Sequence, residues 1–203
     1  MLNLHARDHV ARAFKPIATV FARIGLTPNA ITVIGTVGVA GGAFGFYPRG
    51  SLFPGTMVIT AFVLFDILDG MVARIRGTGG GFGAFLDSCL DRVGDGSVFG
   101  ALVLWYARGG HNLLFAALAL YCLIAGVVVS YSKARAESLG MRCDVGLMER
   151  SERLIVILVA TGLTGLGVPF LEPIALWGLV AGTTFTVIQR FVAVYRQASV
   201  TTR

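Results

Sequence analysis

The sequence predicts an all-α integral membrane protein, with six transmembrane helices preceded by an amphipathic juxtamembrane helix. Three observations point there. Of 203 residues, 55% are hydrophobic and only 14% are charged, against roughly 25% charged in soluble domains, and the mean hydropathy is +0.77. Apolar stretches near 28–47, 52–74, 82–107, 112–136, 152–170 and 172–194 approach or exceed the length of about 20 residues that a membrane-crossing helix needs. All basic residues except Arg49 and Arg108 fall in segments on one side of that layout, and excess Lys and Arg mark the cytoplasmic face. Both termini are therefore expected in the cytoplasm, and the whole of 1–203 reads as one multi-pass domain of the cytoplasmic membrane.

Residues 1–25 set Leu4, Val10, Phe14, Ile17 and Phe21 among Arg7, Arg12, Lys15 and Arg23, the pattern of a helix over about 4–25 lying on the cytoplasmic leaflet. Those charges leave no apolar run for a cleavable signal peptide. Thr27-Pro28-Asn29 suits a helix start and opens the first span. Asn29 and Thr32 stand there as caps, or as hydrogen-bonding groups toward a ligand. In the same span the series Gly35, Gly38, Gly41, Gly42 and Gly45 permits close helix packing. The second span carries Asp66 and Asp69 near its cytoplasmic end. After a turn over Gly77–Gly81, the third carries Asp87, Asp91 and Asp95.

The net charge of +6 is divided among membrane-flanking segments rather than gathered on one soluble face. That argues against nucleic acid and for anionic lipid and phosphorylated partners. Cys89, Cys122 and Cys143 lack metal-type spacing and read as packing residues.

The acids carry the chemistry. Asp66, Asp69, Gly70, Ala73 and Arg74 repeat at i, i+3, i+4, i+7, i+8 and so share one helix face; Asp87 and Asp91 share a face of the next helix. A buried Asp at mid-helix costs about 2.5–3.5 kcal/mol even on the lenient insertion scale. Arg74, Arg76 and Arg92 cannot neutralise four clustered carboxylates. An oxygen-only ligand set without His or Cys suits Mg²⁺ or Mn²⁺, and four Asp suffice for two ions per site in two-metal phosphoryl chemistry.

The spacing D-x2-D-G-x2-A-R-x8-G-x3-D-x3-D is met at every position by Asp66, Asp69, Gly70, Ala73, Arg74, Gly83, Asp87 and Asp91. It resembles the signature of the CDP-alcohol phosphotransferase family. The resemblance implies six spans, a homodimer, and transfer of a phosphatidyl group from a CDP-linked lipid to an alcohol with release of CMP. It makes Asp66, Asp69 and Asp87 metal ligands, and Asp91 both a ligand and the general base. Gly70 and Ala73 would leave room for a cytosine ring, and Arg74 would meet a diphosphate oxygen. Thr78, Asn29 and Thr32 would complete the CDP-lipid pocket. At Gly80 the chain departs from relatives that carry a hydroxyl residue in this turn.

The acceptor pocket is expected among Lys133, Arg135, Arg150, Arg153 and Arg190, more positive charge than topology requires. Any one of them alone could snorkel to lipid phosphate. Together they suit an acceptor that bears its own phosphate. The arrangement is similar to actinobacterial phosphatidylinositol phosphate synthases, which join CDP-diacylglycerol to inositol 1-phosphate. That likeness implies that Lys133, Arg153 and a basic residue of the last span, Arg190 or Arg196, hold the acceptor phosphate. Glycerol 3-phosphate, the acceptor of phosphatidylglycerol phosphate synthases, suits the same charges. A divalent-cation transporter is the reading from a different class; it would need acids in the outer half of the spans, where none is expected.

Overall fold

The computed structural model describes residues 14–78 and 80–201, and the described part is helical, without a strand. Helix α1 covers residues 14–23 and is followed by α2 (Pro28–Phe46), α3 (Leu52–Val63), α4 (Phe65–Arg76), α5 (Gly81–Arg108), α6 (Leu113–Ser138), α7 (Arg150–Gly165) and α8 (Leu171–Thr201). A short 3-10 turn, Tyr47–Arg49, extends α2.

The long helices close into a ring. Neighbours around it are α2, α5, α6, α8, α7 and α3, with α3 returning to α2. Tyr47, Ile59, Phe99, Leu102, Ile157 and Leu176 fill its centre. Gly35 and Gly38 are required there, because a Cβ at either would run into Phe65 or Phe62 of the facing helix, whereas Gly41 and Gly45 face open space. Helix α4 packs mainly on α2. Both principal cavities are bordered by α4.

Four stretches have the length and apolarity to cross a membrane: Pro28–Arg49, Leu52–Arg76, Leu113–Ser138 and Leu171–Ser199. The expectation of six is met only in part among the described residues, and the two shortfalls have separate causes. Helix α5 is long enough, at 28 residues, but carries Asp87, Asp91, Arg92 and Asp95 between its first turns and its middle. Helix α7 is only 16 residues long. The expected stretch to residue 170 stops early because Gly167 turns left-handed, at φ 91°, ahead of Pro169, and Pro disfavours helical geometry in the residue before it.

The expected 52–74 helix is two helices. At Leu64 the ladder tightens, with the Ile67 amide donating to the Leu64 carbonyl at 3.1 Å. This 3-10 step lies two residues before Asp66 and marks a joint within a helix. Within α1, Ala18 packs with Leu68 and Val72 of α4, and Phe14 and Phe21 flank that contact. Ile17, Val20 and Ile24 face outward. Leu4 and Val10 lie outside the described residues.

One premise of the sequence reading is corrected at the opposite end. Glu172, in the first turn of α8, is an acid on the side away from the aspartates, and it is 1% exposed. Its Oε1 accepts a hydrogen bond from Thr161 at 3.1 Å, so it is a partnered group within the bundle. Of the cysteines, Cys122 and Cys143 are buried packing residues as expected, but Cys89 is exposed.

Candidate active site

Asp66 and Asp69 come from α4, Asp87, Asp91 and Asp95 from α5. The turn between those helices is set by Gly77, whose φ of 64° ends α4 and lets the Thr78 amide donate back to the Ala73 carbonyl at 3.1 Å. Left-handed backbone there favours glycine.

The nearby cavity, about 460 Å³ in volume, lies between α2, α4 and the start of α5. Asp69 and Asp87 face it, as do Asn29, Thr32, Gly70, Ala73 and Thr78. Gly70 has no neighbour within 4 Å of where a Cβ would stand, so its bareness widens the cavity rather than serving helix packing. Thr32 Oγ1 donates to Asp69 Oδ2 at 2.6 Å and orients that buried carboxylate. Arg74 is exposed and does not line this cavity. Arg76 is spent on the α1–α2 connection, donating to the carbonyls of Gly25 (3.2 Å) and Leu26 (2.9 Å).

The cation among these acids comes from α7. Arg150 Nη1 lies 2.9 Å from Asp66 Oδ2 and 2.7 Å from Asp91 Oδ1, and its Nε is 3.2 Å from Asp95 Oδ1. Arg153 Nη2 reaches the other Asp95 oxygen at 3.0 Å. Arg92 adds a 3.3 Å contact to Asp91. The sequence places Arg150 among the basic residues expected around the acceptor and gives Asp95 no role, whereas here Arg150 is paired with the acids. A signal was present: Arg150 and Arg153 occupy the first turn of a helix, where the macrodipole opposes positive charge. Cations tolerated there require acids facing them.

Among the described residues no three acid, His or Cys side chains converge as a ready metal cage. The donor set nevertheless fits a divalent cation. Asp69 and Asp87 make no ion pair with a basic side chain among the described residues, although Asp69 is only 9% exposed and both repel Asp66; Arg150 and Arg92 act on Asp87 only from beyond contact distance. Carboxylates left so are the oxygen donors that Mg²⁺ or Mn²⁺ takes.

Of the residues expected around the acceptor, Arg153 and Arg190 lie deep in the ring, Lys133 and Arg135 line neither large cavity, and Arg150 borders the larger one. Arg153 is 1% exposed and Arg190 is 2% exposed. Arg190 donates to the carbonyls of Val145 (2.9 Å) and Val129 and pairs with Glu149 at 3.1 Å. Lys133 is the accessible member, with Nζ 3.0 Å from the exposed Asp144. Arg196 and Arg135 are exposed.

A second cavity of about 790 Å³ runs along the outside of α7 against α3 and α4, from Asp66 and Arg150 at one end to Phe53 and Leu166 at the other. Apart from those end groups its walls are chiefly apolar, with Met57, Ile155 and Val159 among them.

The family profile described as CDP-alcohol phosphatidyltransferase matches residues 25–188. A phosphatidylinositol phosphate synthase of Streptomyces avermitilis is 49% identical over 206 residues, covering 98% of this chain and 84% of its own. The synthase of Corynebacterium glutamicum is 44% identical, over 95% of this chain and 88% of its own. Among solved structures, the Mycobacterium tuberculosis phosphatidylinositol phosphate synthase with CDP-DAG bound superimposes with a TM-score of 0.85 at 42% identity, over 91% of this chain and 94% of that one. The same synthase in complex with manganese and citrate gives a TM-score of 0.83 at 42% identity, over 89% of this chain and 88% of that one.

Proposed function

The chain belongs to the CDP-alcohol phosphatidyltransferase family, and from that premise we infer that it transfers the phosphatidyl group of CDP-diacylglycerol to an inositol phosphate. The products are phosphatidylinositol phosphate and CMP. It is an integral membrane transferase of phospholipid synthesis that works with a divalent metal.

The observation that carries the finer reading is the 460 Å³ cavity, which gathers Asp69 and Asp87 with Gly70, Ala73, Asn29, Thr32 and Thr78. The cytidine lies there, its ring against the bare backbone at Gly70. The acyl chains follow the apolar groove that begins at Asp66 and Arg150. Arg74 meets the diphosphate from the rim. Asp66, Asp69, Asp87 and Asp91 hold a pair of Mg²⁺ or Mn²⁺ ions. When bound, the ions neutralise the diphosphate and stabilise the departing CMP.

The acceptor is inositol 1-phosphate. Its hydroxyl oxygen bonds to the phosphorus that carries the diacylglycerol, the bond from that phosphorus to the bridging oxygen breaks, and CMP leaves with the bridging oxygen. Asp91 takes the hydroxyl proton, as a base within reach of the attacking oxygen must. Lys133, Arg153 and Arg190 hold the acceptor phosphate, with Lys133 exchanging Asp144 for it. The active site and both termini face the cytoplasm, six helices cross the cytoplasmic membrane, with the charged stretch of α5 at its inner face, and the enzyme works as a homodimer.

The decisive test is purified protein with labelled CDP-diacylglycerol and a panel of inositol 1-phosphate, inositol, glycerol 3-phosphate and serine. Labelled lipid is expected with inositol 1-phosphate alone; product from glycerol 3-phosphate in its place reassigns the acceptor. Lys133→Ala is expected to raise the KM for inositol 1-phosphate by about 10- to 100-fold, as loss of one charge-assisted phosphate contact does, with the KM for CDP-diacylglycerol little changed. Equal loss for both substrates removes Lys133 from the acceptor site. Gly70→Ala is expected to fold normally, since nothing lies within 4 Å of its Cβ position, yet to weaken CDP-diacylglycerol binding by roughly tenfold through lost ring space. Unimpaired binding in a titration would empty that part of the cavity of cytosine.

A further inference from the structure

The arginines that the sequence places beside the acids are used weakly or elsewhere: Arg92 donates to the Ser88 carbonyl of its own helix at 2.6 Å and reaches Asp91 only at 3.3 Å, and Arg76 ties down a connection. Arg150 arrives from a different helix and does something that neither does. A single nitrogen, Nη1, bridges carboxylates on α4 and α5, at 2.9 Å to Asp66 and 2.7 Å to Asp91. Its Nε stays on Asp95, a buried acid outside the family motif, which Arg153 fixes from the other side.

We propose that Arg150 is the internal counter-cation of the metal site: Nη1 holds Asp66 and Asp91 together until a dication arrives and then yields those oxygens to it, while the Nε–Asp95 bond moors the guanidinium nearby. This rests on the reading of the four aspartates as metal ligands. Two physical facts drive the exchange. The carboxylate oxygens that accept from Nη1 are the ones a metal would coordinate, so the two cations compete. A dication within about 4 Å of a guanidinium also repels it strongly in a partly desolvated site. The mooring matters because Asp95 is itself only 8% exposed, and with Arg153 it gives Arg150 a fixed pivot. The Arg150 side chain is 27% exposed and borders the apolar groove, so its outer nitrogens have space in which to turn. Arg150 is thus a positioning residue. It keeps the acids gathered without metal and lowers the affinity for the metal that replaces it.

The test is calorimetric titration of purified, detergent-solubilised protein with Mn²⁺, alongside thermal unfolding with and without the metal. Wild type is expected to bind; failure to bind overturns both the metal reading and this inference. Arg150→Gln is expected to bind Mn²⁺ about tenfold more tightly, because a competing charge is gone. Its Tm is expected to fall further below wild type without metal than at Mn²⁺ saturation, where only the Asp95 pair is missing. Unchanged or weaker Mn²⁺ binding in this variant, with normal binding by wild type, overturns the inference and leaves the metal reading standing; that is also what a purely structural arginine would give. Should the glutamine variant not fold, Arg150→Lys carries the test. Its compact ammonium cannot reach Asp95, Asp66 and Asp91 together, so Mn²⁺ is expected to bind it more tightly than wild type by a smaller factor. Weaker binding than wild type overturns the inference.

Discussion

Asp91→Asn is expected to lower kcat by about 10³-fold, the usual scale of general-base loss, with CDP-diacylglycerol binding retained. The amide keeps the size of the carboxylate and one oxygen donor but cannot take a proton. Asp91 sits one turn beyond Asp87 on α5, half-buried, with Arg150 at 2.7 Å on one oxygen and Arg92 at 3.3 Å on the other. Single-turnover assays with saturating inositol 1-phosphate, paired with equilibrium binding of CDP-diacylglycerol, separate the proton-transfer role from binding. Turnover at a tenth of wild type or better would remove Asp91 as the base.

Arg153→Ala is expected to destabilise the protein by about 3–5 kcal/mol, the range for removing one partner of a buried ion pair. Arg153 is the largest fully buried side chain in the described structure. Its loss would leave Asp95 Oδ2 without its cation and open a void beside Gly126, whose Cβ position lies 3.1 Å from the guanidinium. Thermal unfolding in detergent reads the effect. Adding Asp95→Ala is expected to recover part of the loss, since a buried acid left with Arg150 alone as its cation goes with it. No recovery would assign the damage to the void alone. This changes what the sequence suggests for Arg153: its loss should cost folding as well as acceptor affinity, which makes Lys133 the cleaner probe of the acceptor pocket.

The contrast between Arg153 and Asp69 explains what was legible in advance. Asp69 announces itself by spacing, because residues three and four apart on a helix must share a face. The same periodic logic found most of the helices, and the motif gave the family. Arg153 and Arg150 read in the sequence as acceptor-pocket cations without their acidic partners, since Asp95, Asp91 and Asp66 lie more than fifty residues away in the chain. Which of several basic residues crosses a ring of helices to meet an acid depends on packing, and local pattern does not encode it. The joint at Leu64 was hidden for a related reason: no Pro or Gly marks it, and the Phe62–Phe65 ring pair, centroids 5.4 Å apart, spans it. Helix α7 was overestimated because Leu166 and Val168 continue an apolar run after Gly165 has ended the helix.

The groove beside α7 borders a helix of 16 residues, about 24 Å at 1.5 Å per residue, and it lies on the outside of the bundle. A fatty tail resting in it would remain among neighbouring tails from arrival to departure. Only the head group would have to shed water, so catalysis should discriminate little between donors with shorter or longer chains, and finished lipid could drift away sideways without being lifted out of the bilayer.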